Sequence, residues 1–193
     1  VTRVLASMIL WDVTRSSAFV AFACYTVSVA WGISLTARSF RPPVAPQFDY
    51  HRFVAMLGFL AMVTHITTSY LDAFAHIRLK NFVFVGADWK ILLGVIAMWI
   101  AMALPLSFHL KQRKILINQK FWRNFHYLGY SVWALALVHG MWQGSDTPSK
   151  WAIAAYGASA MAIGGVAWWR WFEAPLKKTP KRPAAKPQAS AEG

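Results

Sequence analysis

The chain is poor in cysteine and in acidic residues. Among 193 residues there is one cysteine, Cys24, within an apolar segment. This excludes an intrachain disulfide and any cysteine-based metal cluster, and leaves Cys24 a packing role. Asp and Glu number 7 against 20 Lys and Arg, for a net charge of +13. The basic residues gather in connecting segments and the C-terminal stretch, so they read as membrane topology signals rather than as a nucleic-acid face. A Gly-rich phosphate loop, a GxGxxG fingerprint and nucleic-acid motifs are also missing, so dinucleotide chemistry on a Rossmann domain is not expected. No repeat recurs at a fixed period.

Apolar surface is present in excess. Hydrophobic residues make up 57% of the chain, with 11 Trp and 13 Phe, and the mean hydropathy is +0.38. That is too apolar for a soluble domain of this size. A membrane-crossing helix needs about 20 mainly apolar residues. Five segments qualify: Ser16–Thr36, His51–Leu71, Trp89–Phe108, Trp122–Trp142 and Trp151–Trp171. Tryptophan marks several of their ends, as an aromatic belt requires. The predicted fold is an all-α integral membrane protein of about five transmembrane helices. Residues 1–15 form an outer or interfacial N-terminal segment, residues 16–171 the membrane domain, and residues 172–193 a disordered basic tail. The tail leaves no room for a flavin or nicotinamide domain.

Short connections make consecutive spans antiparallel, so the second and fourth run in the same direction. Arg38, Arg41, Arg52, Lys111, Arg113, Lys114, Lys120, Arg123 and six basic residues from Arg170 onward fall on one side, fourteen in all. Arg3, Arg15, Arg78, Lys80, Lys90 and Lys150 fall on the other. The positive-inside rule places the first group, with the tail, in the cytoplasm. A bacterial inner (plasma) membrane is the expected location.

Four of the six histidines lie in the two parallel spans: His51 and His65 in the second, His126 and His139 in the fourth. Ionisable groups are expensive inside a bilayer and usually face the bundle interior with a function. Parallel spans match His51 with His126 in depth, and His65 with His139. Each pair can supply two axial imidazoles to one heme iron between the helices. The irons would lie about 20 Å apart by helix rise. Interhelical hydrogen bonding or a proton relay is the alternative use of such residues. Thirteen residues leave His139 about 140° from His126 around an ideal helix, so a bend is expected, with Gly129 and Gly140 as candidate points. Gly58, midway between His51 and His65, is expected to clear space for a porphyrin. Arg52 and Arg123 flank the inner pair and can hold inner propionates, although both also satisfy the positive-inside rule. Trp133, midway between His126 and His139, can lie between two porphyrins. His76 and His109, at span ends, read as ordinary interfacial positions.

The segments "WDVTRSSAFVAFACY" (11–25), "HRFVAMLGFLAMVTHI" (51–66) and "FWRNFHYLGYSVWALALVHGMWQGSDT" (121–147) resemble the ferric reductase-like transmembrane domain shared by ferric reductases and NADPH oxidases. The resemblance covers about residues 11–171 and rests on the paired histidine spacing. It implies two b-type hemes, an inner one on His51 and His126 and an outer one on His65 and His139, with outward electron flow. It also places Arg15 beside the outer heme, as a donor to a propionate. In oxygen-reducing relatives a further histidine follows the outer ligand by one turn. Ser69 occupies that position here, against superoxide production.

The chain is thus expected to be a diheme b-type cytochrome, the electron-transfer subunit of an oxidoreductase and not complete on its own. A separate flavoprotein or membrane quinol would be the donor. A ferric chelate or a periplasmic redox partner would be the acceptor. The alternative from a different class is a cofactor-free structural or assembly subunit of a larger membrane complex, which leaves the matched histidines unexplained.

Overall fold

The computed structural model describes residues 2–36, 44–72, 75, 77–113 and 118–173. The tail from residue 174, and His76, lie outside them. The described residues are mostly helical, with no strand among them. Six α-helices follow in order: α1 (Thr2–Thr36), α2 (Val44–Leu71), α3 (Trp89–Gln112), α4 (Gln119–His126), α5 (Leu128–Gln143) and α6 (Lys150–Trp168). A 3-10 turn at Leu79–Val83 leads into α3, and a π turn at Trp169–Glu173 extends α6. Four stretches are long and apolar enough to cross a membrane: Ser7–Leu35, Pro46–Leu71, Trp89–Gln112 and Lys150–Phe172.

The surface is as apolar as the core, and polar groups are found among the buried residues. Large apolar side chains point outward, among them Phe53 at 66% and Met161 at 73% exposure. Small hydroxyl side chains are buried between helices: Thr14, Ser17, Ser28, Ser107 and Ser159. A bilayer explains both halves of this pattern, because it solvates the apolar rim and drives polar groups to find partners within the bundle. The protein is an all-α integral membrane protein.

Helix directions follow from the contacts. Helices α1 and α2 are antiparallel, joined by Ser7 Oγ to Asp72 (3.1 Å), Thr14 to Thr68 (2.8 Å) and Trp31 Nε1 to the Gln47 carbonyl (3.2 Å). Helix α6 runs parallel to α1: Phe19 meets Trp151, and farther along Thr26 and Ser159 share a 2.8 Å hydrogen bond. Helices α3 and α5 are antiparallel, since Trp89 meets Trp142 and Gly129 faces Leu104. The histidine-bearing segments α2 and α4–α5 are therefore parallel, as the connectivity predicts.

Several boundaries differ from the sequence expectation. Helix α1 continues unbroken through residues 2–15, with no boundary at Ser16. Helix α2 starts seven residues before His51, so His51 lies two turns inside it. Pro46 falls in its first turn, where a missing N–H has no partner to lose. The fourth span is broken. Helix α4 ends at His126, Tyr127 turns, and α5 begins at Leu128. The Tyr127 N–H donates to Asn124 O, and the Tyr130 N–H donates to Tyr127 O, both three residues back. Such 3-10 geometry advances about 120° per residue instead of about 100°. It supplies part of the rotation needed to bring His139 toward the face of His126. The bend thus lies two residues before Gly129. Gly140 instead makes room for Tyr156, whose hydroxyl would lie 3.0 Å from a Cβ there.

Candidate heme-ligand site

The end of the bundle that the sequence reading assigns to the outer face holds a cavity of about 290 Å³. His65 of α2 and His139 of α5 both line it, together with Trp11, Thr14 and Arg15 of α1 and Asp146 of the α5–α6 loop. Both rings are tied back to the main chain. His65 Nδ1 donates to the Thr14 carbonyl at 2.9 Å, and His139 Nδ1 to the Lys90 carbonyl at 2.7 Å. A carbonyl only accepts, so in each ring Nδ1 carries the proton and Nε2 keeps its lone pair. This is the arrangement in which a metal-binding imidazole is oriented by its second nitrogen. The His139 ring has this position because α3 carries glycine opposite it. A Cβ on Gly94 would lie 2.8 to 3.0 Å from three of the ring atoms.

At the inner end, His51 of α2 and His126 of α4 have ring centres 6.0 Å apart, with planes at 77° in an edge arrangement. Metal–imidazole bonds of about 2 Å set two collinear rings about 6 Å apart across one metal ion. His51 Nδ1 donates to the Ser28 carbonyl at 3.0 Å and lies 3.2 Å from the Ser28 hydroxyl. His126 is held differently: Trp122, one turn earlier, stacks on it with centres 5.0 Å apart and planes 22° apart. The unbroken α2 separates the two sites by about 21 Å along its axis.

The cations around these pairs are placed less simply than expected. Arg15 lines the outer cavity, but its guanidinium is engaged. Nε donates to Asp146 at 2.7 Å and Nη2 to the other carboxylate oxygen, with Asp12 3.6 Å from Nη1. Arg52 lies 5.1 Å from the centre of the Phe108 ring and 3.7 Å from Asp49. Arg123 is exposed on α4 and joins no ion pair among the described residues. Trp133 turns away from the cavity, donating to Ser159 Oγ at 2.9 Å and packing near Phe22 and Tyr156. Gly58 gives no clearance toward the histidines: a Cβ there would meet Cys24 of α1 at 3.0 Å, so it serves the close approach of α1 and α2. His109 is exposed at the end of α3.

Four residues escaped the sequence reading: Gly94, Asp146, Trp122 and Lys111. Asp146 carried one available signal, as one of only seven acidic residues in the chain. The others look like ordinary members of an apolar helix or of a basic helix end.

Among the described residues no three His, Cys, Asp or Glu side chains converge on a point. What the bundle offers is paired imidazoles. That donor set suits a metal whose remaining ligands come from a planar macrocycle, and the residues present therefore fit b-type heme. Comparison of the chain with protein-family models, with curated proteins and with solved structures gives no match in any of the three.

Proposed function

We propose that this chain is a diheme b-type membrane cytochrome, the electron-transfer subunit of a larger oxidoreductase system. One observation carries the reading: two histidine pairs at matched depths on parallel segments, with three of the four rings anchored through Nδ1 to backbone carbonyls. A cofactor-free structural subunit gives no reason for three imidazoles to be held with Nε2 unprotonated inside the bundle.

When bound, b-type heme supplies a reversible one-electron iron couple. The protein's own residues do the rest. His65 and His139 present Nε2 to the outer cavity, and Thr14 and Lys90 hold their tautomers. At the inner end Ser28 holds the tautomer of His51 in the same way, and Trp122 backs the ring of His126. Apolar side chains of α1, α3 and α5 exclude water between the sites, and Gly94 keeps the outer cavity open to the His139 ring. Arg15 and Asp146 close the outer mouth with opposite charges.

The distribution of Lys and Arg supports a cytoplasmic inner pair, and the membrane in this reading is a bacterial plasma membrane. The donor is then a flavoprotein or a quinol, and the acceptor a ferric chelate or a periplasmic redox partner. The Arg15–Asp146 pair bears on that choice. Its mutual neutralisation removes much of the attraction that a free Arg15 would exert on an anionic chelate, which favours a docked partner. A reduced-minus-oxidised absorption spectrum of the purified protein, with heme quantified per chain, tests the reading. Two low-spin b-type hemes are expected; a protein with no heme bands would return it to the structural class.

A further inference from the structure

Two groups at the inner end are used neither by the fold nor by the ligand pairs, and a third feature ties them to His126. The first is the indole N–H of Trp122, which is buried and has no hydrogen-bond acceptor. A buried donor left unmet costs roughly 1–3 kcal/mol and is rare enough to require an explanation. The second is Lys111, whose Nζ lies 3.8 Å from the centre of the Trp122 ring. It joins no ion pair among the described residues. The third is the stacking of the same indole on His126.

The three belong to one cluster. Phe108 of α3 lies 6.2 Å from Trp122 and carries Arg52 on its face. An N–H donor without an acceptor and an ammonium without a carboxylate thus sit beside the ring of a candidate axial ligand. The missing partner has the chemistry of a carboxylate. Asp49 is 74% exposed and 3.7 Å from Arg52, and no acidic side chain among the described residues bonds to Trp122 or Lys111.

Resting on the diheme reading, we infer that Trp122 and Lys111 form the clasp for a carboxylate of the inner heme. Trp122 has two roles. Its ring sets the plane of His126, which lacks the backbone anchor of the other three histidines, and its N–H binds the acid group. Lys111 supplies the compensating charge from α3. This assignment replaces Arg123, which is exposed on α4, and leaves Arg52 as a neighbour packed on Phe108. Both clasp residues are positioning residues for the inner site.

Redox titration of the purified protein decides the matter. Trp122→Phe keeps an aromatic ring on His126 but removes the N–H; Lys111→Gln removes the charge at the rim without disturbing the bundle. Each is expected to lower the midpoint potential of the inner heme, because loss of a donor or cation makes the added electron less stable there. The outer midpoint should not move. His126→Ala, which retains only the outer heme, identifies which wave is which. Two hemes with an unshifted inner wave in both variants would overturn the clasp and leave the diheme reading intact. Failure of Trp122→Phe to fold leaves the decision with Lys111→Gln. A wild-type protein without heme overturns both readings.

Discussion

The outer and inner histidine pairs solve the same problem by different means. At the outer end both rings are pinned by backbone carbonyls belonging to long helices, and both line one cavity that an ion pair borders. At the inner end only His51 has such an anchor. Its partner His126 is the last residue of an eight-residue helix, followed at once by a turn. A short helix has little stability of its own. His126 is therefore oriented by side-chain stacking rather than by main chain. The outer pair is thus held by the fold itself, and on the proposed reading the inner pair is completed by its ligand.

The largest expected effect would break the comparison outright. His65→Ala or His139→Ala should remove one heme and leave the inner one, and His51→Ala or His126→Ala should do the reverse. Heme per chain should fall from two to one in each case. If any single substitution abolished both, the two ends would not be separate sites.

Gly94→Ala tests the preformed character of the outer site. Its methyl group would lie under 3.0 Å from the His139 ring, and overpacking of this kind costs about 1–3 kcal/mol. Outer heme affinity should drop on the order of tenfold, read from heme retained through purification, with inner occupancy unchanged. Gly32→Ala, opposite His51, meets the ring at an ordinary 3.4 Å and should be mild.

The ion pair at the outer mouth allows a signed test. Arg15→Gln leaves Asp146 as an uncompensated anion beside the outer cavity, so the outer midpoint potential should fall. Asp146→Asn leaves Arg15 as an uncompensated cation, so the same midpoint should rise. The inner midpoint should respond to neither. Shifts of the same sign would mean that the pair acts through structure and not through charge. The Arg15 side chain is 37% exposed, so loss of the pair should cost stability on the order of 1 kcal/mol or less.

The smallest effect concerns the α1–α2 seam beneath the outer site. Thr68→Val removes the hydrogen bond to Thr14, worth about 0.6 kcal/mol by the usual measure for membrane bundles. Thermal unfolding should shift slightly, with both heme spectra unchanged.

Much of this architecture was legible without coordinates. Five apolar stretches of bilayer length with short links dictate an antiparallel bundle, and an even number of reversals makes the two histidine-bearing spans parallel. The pairing of His51 with His126, and of His65 with His139, follows from that parity and from helix rise. The need for a bend near His126 followed from counting residues, but its position did not. Gly129 and Gly140 have the flexible backbone, whereas the turn falls at Tyr127, where successive three-residue hydrogen bonds replace the α-helical pattern. Gly58 was read by its distance along α2, and its neighbour proved to lie on α1.

What the sequence determined by itself is thus local or nearly so: helical state, membrane residence, helix direction and histidine depth. Each follows from hydropathy over some 20 residues, from chain reversal at short links, or from a fixed rise per residue. Only the tertiary structure decided which groups hold the histidines and which cations remain available. Arg15 meets Asp146 across 131 positions of sequence, His65 meets the Thr14 carbonyl across 51, and His139 meets the Lys90 carbonyl across 49. Backbone carbonyls are the same at every residue and carry no mark in the sequence. Their role appears only when helix packing brings one of them to an imidazole.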